Sequence, residues 1–308
     1  MASHPAAAIE DQYGHPGDKR DALIDKIDTL RFRDFQAVQW DWLDLMWTLD
    51  QYRIAGVAPR DMGDSKNKGE QLPAVYRQKG GWFAQVLAAL LENQTRERVA
   101  PTTKVRGFSQ LHQIDLAYPD RRDLPLICAE TKVTGAPAYG SYPERGAMSD
   151  FSNRRKELKF AATDLKLARR DLKTEIKHWG HWKENATPRT YFLWAARLRR
   201  GVPKQTKKGV SYSGRDEITR LVKEASLLVD TYLDGAGLVA WQLNDEGTGY
   251  EVVEVPLEGQ ARTLDDALLR IGNGIDDLAK SEAKLPPPVE PEDRAVSPEA
   301  LPDDKPKD

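Results

Sequence analysis

The chain has 308 residues, a formal net charge of −2 and 40 % apolar residues, which suits one large or two small domains with a real core. Its single cysteine, Cys128, excludes an intramolecular disulfide and a thiolate zinc cluster. No signal-peptide segment opens the sequence and no run approaches the length of a membrane span, so we expect a soluble, cytoplasmic protein without membrane contact.

The N-terminal quarter of the sequence divides into a polar start and a helical segment. Residues 1–20 are polar with scattered Ala, Gly and Pro, and we predict a disordered tail there. Residues 21–75 form a predicted N-terminal helical extension, because apolar residues recur at helical spacing from Arg33 to Arg53. A Gly- and Pro-bearing loop is expected over 58–71, and a second apolar helix over Gly81–Glu92.

Two apolar runs, at 111–118 and 124–133, flank a turn that contains Pro and Asp, which predicts a β-hairpin. Asp115 lies on the first strand. On the second strand, Glu130 and Lys132 are two residues apart and therefore share a face, because strand side chains alternate between faces. Charges inside apolar strands are costly unless paired or bound to a metal. Two carboxylates in one space repel, so a divalent cation is the simplest partner; a buried ion-pair network is the alternative.

The elements after this hairpin are a loop, a long helix and a buried strand. The loop at 134–148 contains three Gly and two Pro, and either contacts a substrate or only connects its neighbours. A charged helix is predicted over Asp150–His178. The continuous apolar run at Thr190–Leu198 is typical of a strand covered on both faces.

The last third of the sequence predicts a helix capped by Ser213, two further strands and a final amphipathic helix. The helix spans Gly214–Leu233, the strands span Leu238–Leu243 and Tyr250–Val255, and the final helix spans Leu264–Leu278. Residues 285–308 are Pro-rich and acidic, which predicts a disordered tail. This order of elements predicts an α/β fold with a mixed central sheet flanked by helices.

Basic residues are concentrated directly after the predicted hairpin. Residues 151–210 contain 17 Lys or Arg against five Asp or Glu. Such a run is ordinarily a solvated face, but its excess and its position favour a phosphate-binding surface. The predicted nucleic-acid-binding residues are Arg154, Arg155, Lys159, Lys166, Arg169, Arg170 and Lys173.

Asp115, followed fifteen positions later by Glu130-Thr131-Lys132, resembles the core of the PD-(D/E)xK nuclease superfamily, which includes most type II restriction endonucleases. The family usually has proline before the first acid, and Ile114 stands there in this chain. The resemblance implies a restriction-endonuclease-like core over residues 76–258. The C-terminal helix, within 259–284, lies outside the resemblance and is predicted from its amphipathic pattern.

The resemblance also implies a set of site residues and a cofactor. The expected metal is Mg²⁺, with Mn²⁺ as the alternative, because such sites offer oxygen ligands. The implied catalytic residues are Asp115, Glu130 and Lys132, and the implied metal ligands are Asp115, Glu130, the backbone carbonyl of Thr131, and Glu92. Gln113 is a further catalytic candidate, because it shares the strand face of Asp115 two residues away and can orient water or substrate there. Glu92 can equally be a solvated residue of a last helical turn. His112 faces away from Asp115 on the alternating strand and is predicted to be a packed strand residue.

Together these features predict a Mg²⁺-dependent endonuclease acting on double-stranded DNA, in the role of a bacterial restriction or phage-defence enzyme. Because double-strand cutting usually needs two active sites, a homodimer is expected. The alternatives are a repair or RNA-directed nuclease on the same core, and a non-catalytic DNA-binding subunit of a larger complex.

Overall fold

The computed structural model describes residues 6–30, 34–60, 62, 68–120, 125–149, 151–172, 187–199, 204–205, 211–256 and 259–282. The helices are α1 (Ala7–Tyr13), α2 (Pro16–Thr29), α3 (Gln39–Ala55), α4 (Lys68–Thr95), α5 (Phe151–Leu172), α6 (Gly214–Thr231) and α7 (Leu264–Glu282), with a 3₁₀ turn at Phe35–Ala37. The strands are β1 (Ala100–Arg106), β2 (Leu111–Tyr118), β3 (Ile127–Thr134), β4 (Arg189–Arg197), β5 (Lys204–Gln205), β6 (Ser211–Tyr212), β7 (Gly235–Leu243), β8 (Tyr250–Val253) and β9 (Ala261–Thr263).

Seven of the strands form one open sheet in the order β1-β2-β3-β4-β7-β8, with β9 pairing alongside β7. The strand pairs β3–β4, β4–β7 and β7–β9 are parallel, and the pairs β1–β2, β2–β3 and β7–β8 are antiparallel. Strands β5 and β6 form a separate two-stranded sheet. The predicted α/β class and mixed central sheet are therefore confirmed.

Helices cover both faces of this sheet and bury two apolar clusters. On one face, α2, α3, α4 and α7 pack on the sheet around Trp42, Phe83 and Leu193. On the other face, α5 and α6 cover Phe192 and Trp194. Alternate residues of β4 thus enter opposite clusters, which explains why its sequence is apolar without interruption.

The N-terminus differs from its predicted disorder, because α1 and α2 occupy residues 7–29. His15 caps α2 by accepting a hydrogen bond from the Gly17 N–H, and Pro16 occupies the first helical position, where its missing N–H is harmless. Leu23 and Ile27 are buried in the main cluster. Both residues lie in the predicted helical segment at 21–75. In residues 7–20, where disorder was predicted, the apolar residues are too sparse to indicate a helix. The predicted tail at 285–308 lies outside the described residues.

The segment that contains α4 and β1 also differs from its prediction. Helix α4 begins at Lys68 and runs through Pro73 and the Gly80-Gly81 pair, where a loop and a helix start were expected. Burial of Val75, Trp82 and Phe83 against the core stabilises the helix across these weak helix formers. Strand β1, which was not predicted, pairs with β2 as a hairpin.

Among the described residues, no helix is long and apolar enough to cross a membrane.

Candidate active site

Strands β2 and β3 carry the predicted site residues at the point where the two strands part. Their ladder covers three residue pairs, from Tyr118–Ile127 to Leu116–Ala129. The next pair in this register, Asp115 and Glu130, is not bonded through the backbone. Instead the Asp115 carboxylate accepts hydrogen bonds from the Thr131 N–H at 2.8 Å and the Thr131 hydroxyl at 3.1 Å. The side chain of Asp115 thus satisfies a backbone group that the ladder leaves open.

A change of face in β2 accompanies this separation. Leu116 and Tyr118 pack in the cluster beneath α4, whereas Ile114, also even-numbered, packs against Leu165 of α5. Opposite the change, Thr102 of β1 has a left-handed φ of +51°. Positive φ is uncommon outside glycine and marks a local distortion of the strand pair. Asp115 therefore lies at a kink and not within a regular strand.

Asp115, Glu130 and Lys132 converge, as the alternation predicted. The Lys132 ammonium lies 3.6 Å from the Glu130 carboxylate and 3.9 Å from that of Asp115. The two carboxyl side chains are each 20 % exposed, and the Lys132 side chain is 28 % exposed. The group is open enough to meet a substrate and buried enough for its charges to interact strongly.

The pKa of Glu130 is raised from an ordinary 4.5 to about 7. Burial is the main cause, the neighbouring Asp115 carboxylate adds to it, and Lys132 opposes both. A cation between the two carboxylates would remove the repulsion that contributes to this shift.

A cleft of about 460 Å³ opens beside this group, between α4, the end of β3 and the loop at 134–148. Asp115, Thr131 and Lys132 line it. Five cationic side chains line the same cleft: Arg77, Lys79, Lys132, Arg145 and Arg154. A cleft with this balance of charge raises the local concentration of anions such as phosphate esters.

Lys79 connects the cleft to the loop that forms its wall. Its ammonium donates a hydrogen bond to the Gly135 carbonyl oxygen at 2.8 Å and lies 4.2 Å from the centre of the Tyr76 ring. Burial lowers the pKa of Lys79 to about 8; Asp50 opposes this shift and Arg53 adds to it. Lys79 therefore titrates close to neutral pH in the wall of the cleft.

A buried polar network behind Tyr76 joins five elements of the fold. Asp50 of α3 accepts hydrogen bonds from the hydroxyls of Tyr76, at 2.7 Å, and Tyr250. The Arg197 guanidinium lies 3.6 Å from Asp50 and donates to Glu144 of the loop at 2.5 Å. Because each partner stabilises the next, the network fixes the loop at 134–148 against α3, α4, β4 and β8.

Gln113 and Glu92 do not join Asp115 and Glu130 in the candidate site. Gln113 is exposed, two residues before Asp115 on β2, and does not line the cleft. Glu92, near the end of α4, accepts a hydrogen bond from the Val99 N–H at 2.9 Å and thereby fixes the turn into β1. Glu92 lies 11 residues beyond Gly81, the last α4 residue in the cleft, which is about 16 Å along the helix. The structure therefore does not bring Glu92 to the acid pair.

Of the described basic side chains predicted on α5, only Arg154 lines the cleft, and it also pairs with Glu157 at 2.7 Å. The others have partners around α6. Arg155 pairs with Glu224 at 3.1 Å, Lys159 lies 4.6 Å from the centre of the Tyr232 ring, and Lys166 pairs with Asp234 at 3.0 Å. The side chains of Arg169, Arg170 and Lys173 lie outside the described part of the chain.

His112 is buried, as predicted, and faces α5. Its Nε2 atom lies 2.7 Å from the Asp164 carboxylate, and both side chains are at least nine-tenths buried. Although burial alone would raise the pKa of Asp164, the hydrogen bonds from His112 and Ser109 lower it. This pair closes the β1–β2 turn onto α5, away from the cleft.

Asp115 and Glu130 are the candidate ligands for a metal ion. Within the described ranges, no group of three or more His, Cys, Asp and Glu side chains could hold one. Asp115 and Glu130 supply two carboxylates, and Thr131 occupies one oxygen of Asp115. Mg²⁺ is commonly bound by one or two carboxylates while it keeps several waters, so this pair fits Mg²⁺ and suits a cation with a larger protein shell less well.

No family model matches this chain, and the searches of curated proteins and of solved structures also find no match.

Asp50 and Lys79 were not predicted from the sequence. Asp50 follows Leu49 in the apolar helical pattern from Arg33 to Arg53, and an acid beside such a stripe is a signal for a buried polar network. Lys79 immediately precedes Gly80-Gly81, a pair without side chains that leaves the cleft open beside it. Neither residue belongs to a local motif, because the contacts of both are distant in sequence: Lys79 contacts Gly135, and Asp50 contacts Tyr250 and Arg197.

Proposed function

We propose that the protein is a metal-dependent nuclease that hydrolyses phosphodiester bonds in DNA. One observation carries the proposal: the carboxylates of Asp115 and Glu130 and the ammonium of Lys132 meet at the kink of β2. Asp115 and Lys132 line the adjoining cleft, whose other charged side chains are cationic. Hydrolysis of a phosphodiester requires a positioned water, stabilisation of the charge on phosphorus and an anion-binding surface. The cleft offers a residue for each requirement.

In this proposal Asp115 and Glu130 hold Mg²⁺, which when bound supplies Lewis acidity and a more acidic water. Thr131 fixes the orientation of Asp115 through two hydrogen bonds, so that Asp115 needs little rearrangement. Lys132 lies within 4 Å of both carboxylates, where its ammonium can hold the attacking water or a phosphate oxygen.

The remaining cations of the cleft position the DNA. Arg77, Arg145 and Arg154 offer guanidinium groups, which bind phosphate with two parallel hydrogen bonds. Lys79 keeps the loop at 134–148 in place through Gly135 and adds positive charge behind it. Phosphate contacts of this kind carry no sequence information, so they account for affinity and not for a recognition site.

The resemblance to the PD-(D/E)xK superfamily supports the same proposal. We interpret β2, β3, β4 and β7 as the restriction-endonuclease-like core, in which Asp115 and the Glu130-Thr131-Lys132 segment occupy the motif positions. A restriction or phage-defence role and a homodimeric state follow from that interpretation.

The proposal is tested by incubating the purified protein with plasmid DNA, single-stranded DNA and RNA, with Mg²⁺, Mn²⁺ or EDTA. We expect metal-dependent cleavage of DNA on a gel. Metal-dependent cleavage of RNA alone would support an RNA-directed nuclease. Binding of DNA without cleavage of any substrate would support a non-catalytic subunit and exclude the proposed activity.

A further inference from the structure

The β1–β2 hairpin extends beyond the main sheet. Strand β2 pairs with β3 only from Leu116 to Tyr118, whereas it pairs with β1 back to Leu111. From Asp115 to the turn, the hairpin therefore forms an arm that starts at the candidate active site. Val105 and Ile114 pack one side of the arm against Leu165 of α5.

The opposite side of the arm is exposed. Lys104 pairs with Gln113 and Arg106 pairs with Leu111 across the two strands, so these four side chains share a face. We call these four residues the arm face. All four are exposed, and Leu111 is 55 % exposed. Gln113 is two residues, or about 7 Å of extended strand, from Asp115.

The turn at the end of the arm also presents an apolar side chain. Phe108 is 54 % exposed, although an isolated aromatic of this size is usually buried. Phe160 of α5, 50 % exposed, lies beside the same turn, with its ring centre 5.5 Å from that of His112.

The turn that carries Phe108 is held rigidly. Asp164 of α5 accepts hydrogen bonds from the Ser109 N–H through its side chain and from the Phe108 N–H through its backbone carbonyl, at 2.9 and 3.1 Å. His112 completes this buried pair. Gly107 fits so closely that a Cβ there would lie 2.1 Å from the Asp164 carboxylate. An exposed aromatic on so rigid a turn is preorganised for contact with a partner.

We propose that the arm binds an unpaired stretch of DNA beside the scissile bond, with Lys104 and Arg106 on phosphates and Phe108 stacked on a base. The arm face contains two cations and no acid. Its residue Gln113 is two residues along β2 from Asp115, which lines the cationic cleft. Nucleic-acid surfaces that accept single strands combine such cations with aromatic platforms. The inference rests on the proposed function for its substrate, and it adds a preference for DNA in which unpaired bases adjoin the scissile bond, as at forks and flaps.

The test measures DNA binding in Ca²⁺ by fluorescence anisotropy, so that it does not depend on cleavage. Labelled single-stranded, forked and blunt duplex oligonucleotides are titrated with the wild-type protein and with variants. We expect tighter binding to single-stranded and forked DNA than to blunt duplex. Phe108→Ala should weaken binding to single-stranded DNA about tenfold, and Phe108→Trp should retain it, because stacking on an aromatic face is lost in one variant and kept in the other.

The double variant Lys104→Ala/Arg106→Ala should flatten the salt dependence of binding, by about 0.7 in slope for each phosphate contact to a single strand. Its matched control is Arg215→Ala/Lys223→Ala, which removes two exposed cations from α6. Leu269→Ala, which truncates a side chain that is 55 % exposed on α7, is the control for Phe108. Thermal unfolding of every variant checks that the fold is retained.

Wild-type binding by both arm variants would overturn the inference, even if the protein cleaves DNA. Loss of binding in both arm variants, in a protein that never cleaves DNA, would leave the inference standing and remove the proposed nuclease activity. If the arm variants change the oligomeric state in sedimentation but not DNA binding, the arm is a protein interface and the inference is wrong.

Discussion

The carboxylate of Asp115 accepts two hydrogen bonds from Thr131, at the point where β2 and β3 separate. A side chain here replaces the backbone partner that a regular ladder would supply. As a consequence, Asp115 is fixed beside Glu130 in a gap between strands instead of being covered by them. The neighbouring Asp115 carboxylate then adds to the rise in the pKa of Glu130, which burial mainly causes.

The first prediction concerns the pH dependence of stability in the metal-free protein. The folded protein raises the pKa of Glu130 from 4.5 to about 7, so it binds this proton more tightly than the unfolded chain does. The stabilisation from this group is therefore fully present below about pH 4.5 and is lost as the pH rises through about 7, by at most about 3 kcal/mol. Glu130→Gln should remove this loss in urea unfolding experiments compared at pH 5 and pH 8.

Mg²⁺ should stabilise the folded protein more at high pH than at low pH, which is opposite to the trend of the metal-free protein. Because the ion binds the ionised carboxylate, it should raise the melting temperature of the wild type more at pH 8 than at pH 6. Glu130→Gln should lose most of this increase. An equal increase in wild type and variant would mean that Mg²⁺ binds elsewhere.

The second prediction concerns the network behind the cleft. The Asp50 carboxylate pairs with buried Arg197 and accepts hydrogen bonds from Tyr76 and Tyr250, and Asp50→Asn removes its charge. Loss of one partner from a buried ion pair costs about 3 kcal/mol or more, so the free energy of unfolding should fall by that amount. Asp44→Asn is the control, because Asp44 is half-exposed and its pairing with Lys19 contributes little. Equal effects of the two substitutions would contradict the structural role of the network.

The third prediction distinguishes the cations of α5. Arg154 lines the cleft, so Arg154→Ala should lower the salt slope of binding to duplex DNA by about 0.9. Arg155→Ala and Lys166→Ala should leave the slope unchanged, because neither side chain lines the cleft and both pair with acids on or just after α6. Salt titrations in Ca²⁺ measure this difference. A lower slope for all three variants would restore the basic surface as the sequence predicted it.

The fourth prediction compares two glycines. Gly107→Ala would place a Cβ 2.1 Å from the Asp164 carboxylate, so it should displace the β1–β2 turn and lower the melting temperature. Gly80→Ala adds a Cβ with no atom within 4 Å, in the middle of α4, and should stabilise the protein by about 0.5–1 kcal/mol. Thermal unfolding of both variants checks the pair, and destabilisation by Gly80→Ala would show that α4 is distorted there.

The sequence predicted those parts of the site that depend on local alternation. The convergence of Asp115, Glu130 and Lys132 was predicted from period-two geometry, whereas the kink that separates Asp115 from the ladder was not. The cap of α6 was also predicted from Ser213, which forms a capping box with Asp216.

Contacts between distant segments were not predictable in this way. The partners of Arg155 and Lys166 lie on or just after α6, more than 65 residues along the chain, and convert predicted phosphate ligands into structural ion pairs. Asp50 and Tyr250 are 200 residues apart, so no window of sequence contains their contact. Strand β1 was not predicted. Its buried and exposed residues do not alternate regularly around Thr102, at the kink opposite Asp115, so its sequence lacks the period-two pattern of a strand.

The most direct test of the proposed activity is the rate of plasmid cleavage by wild type, Glu130→Gln and Lys132→Ala, each in Mg²⁺, Ca²⁺ and EDTA. We predict cleavage by wild type in Mg²⁺ only. Both variants should lose about a thousandfold in rate or more while they retain a cooperative melting transition, because each lacks a group that acts on the transition state. Cleavage by wild type in EDTA, or by folded Glu130→Gln at the wild-type rate, would contradict the account.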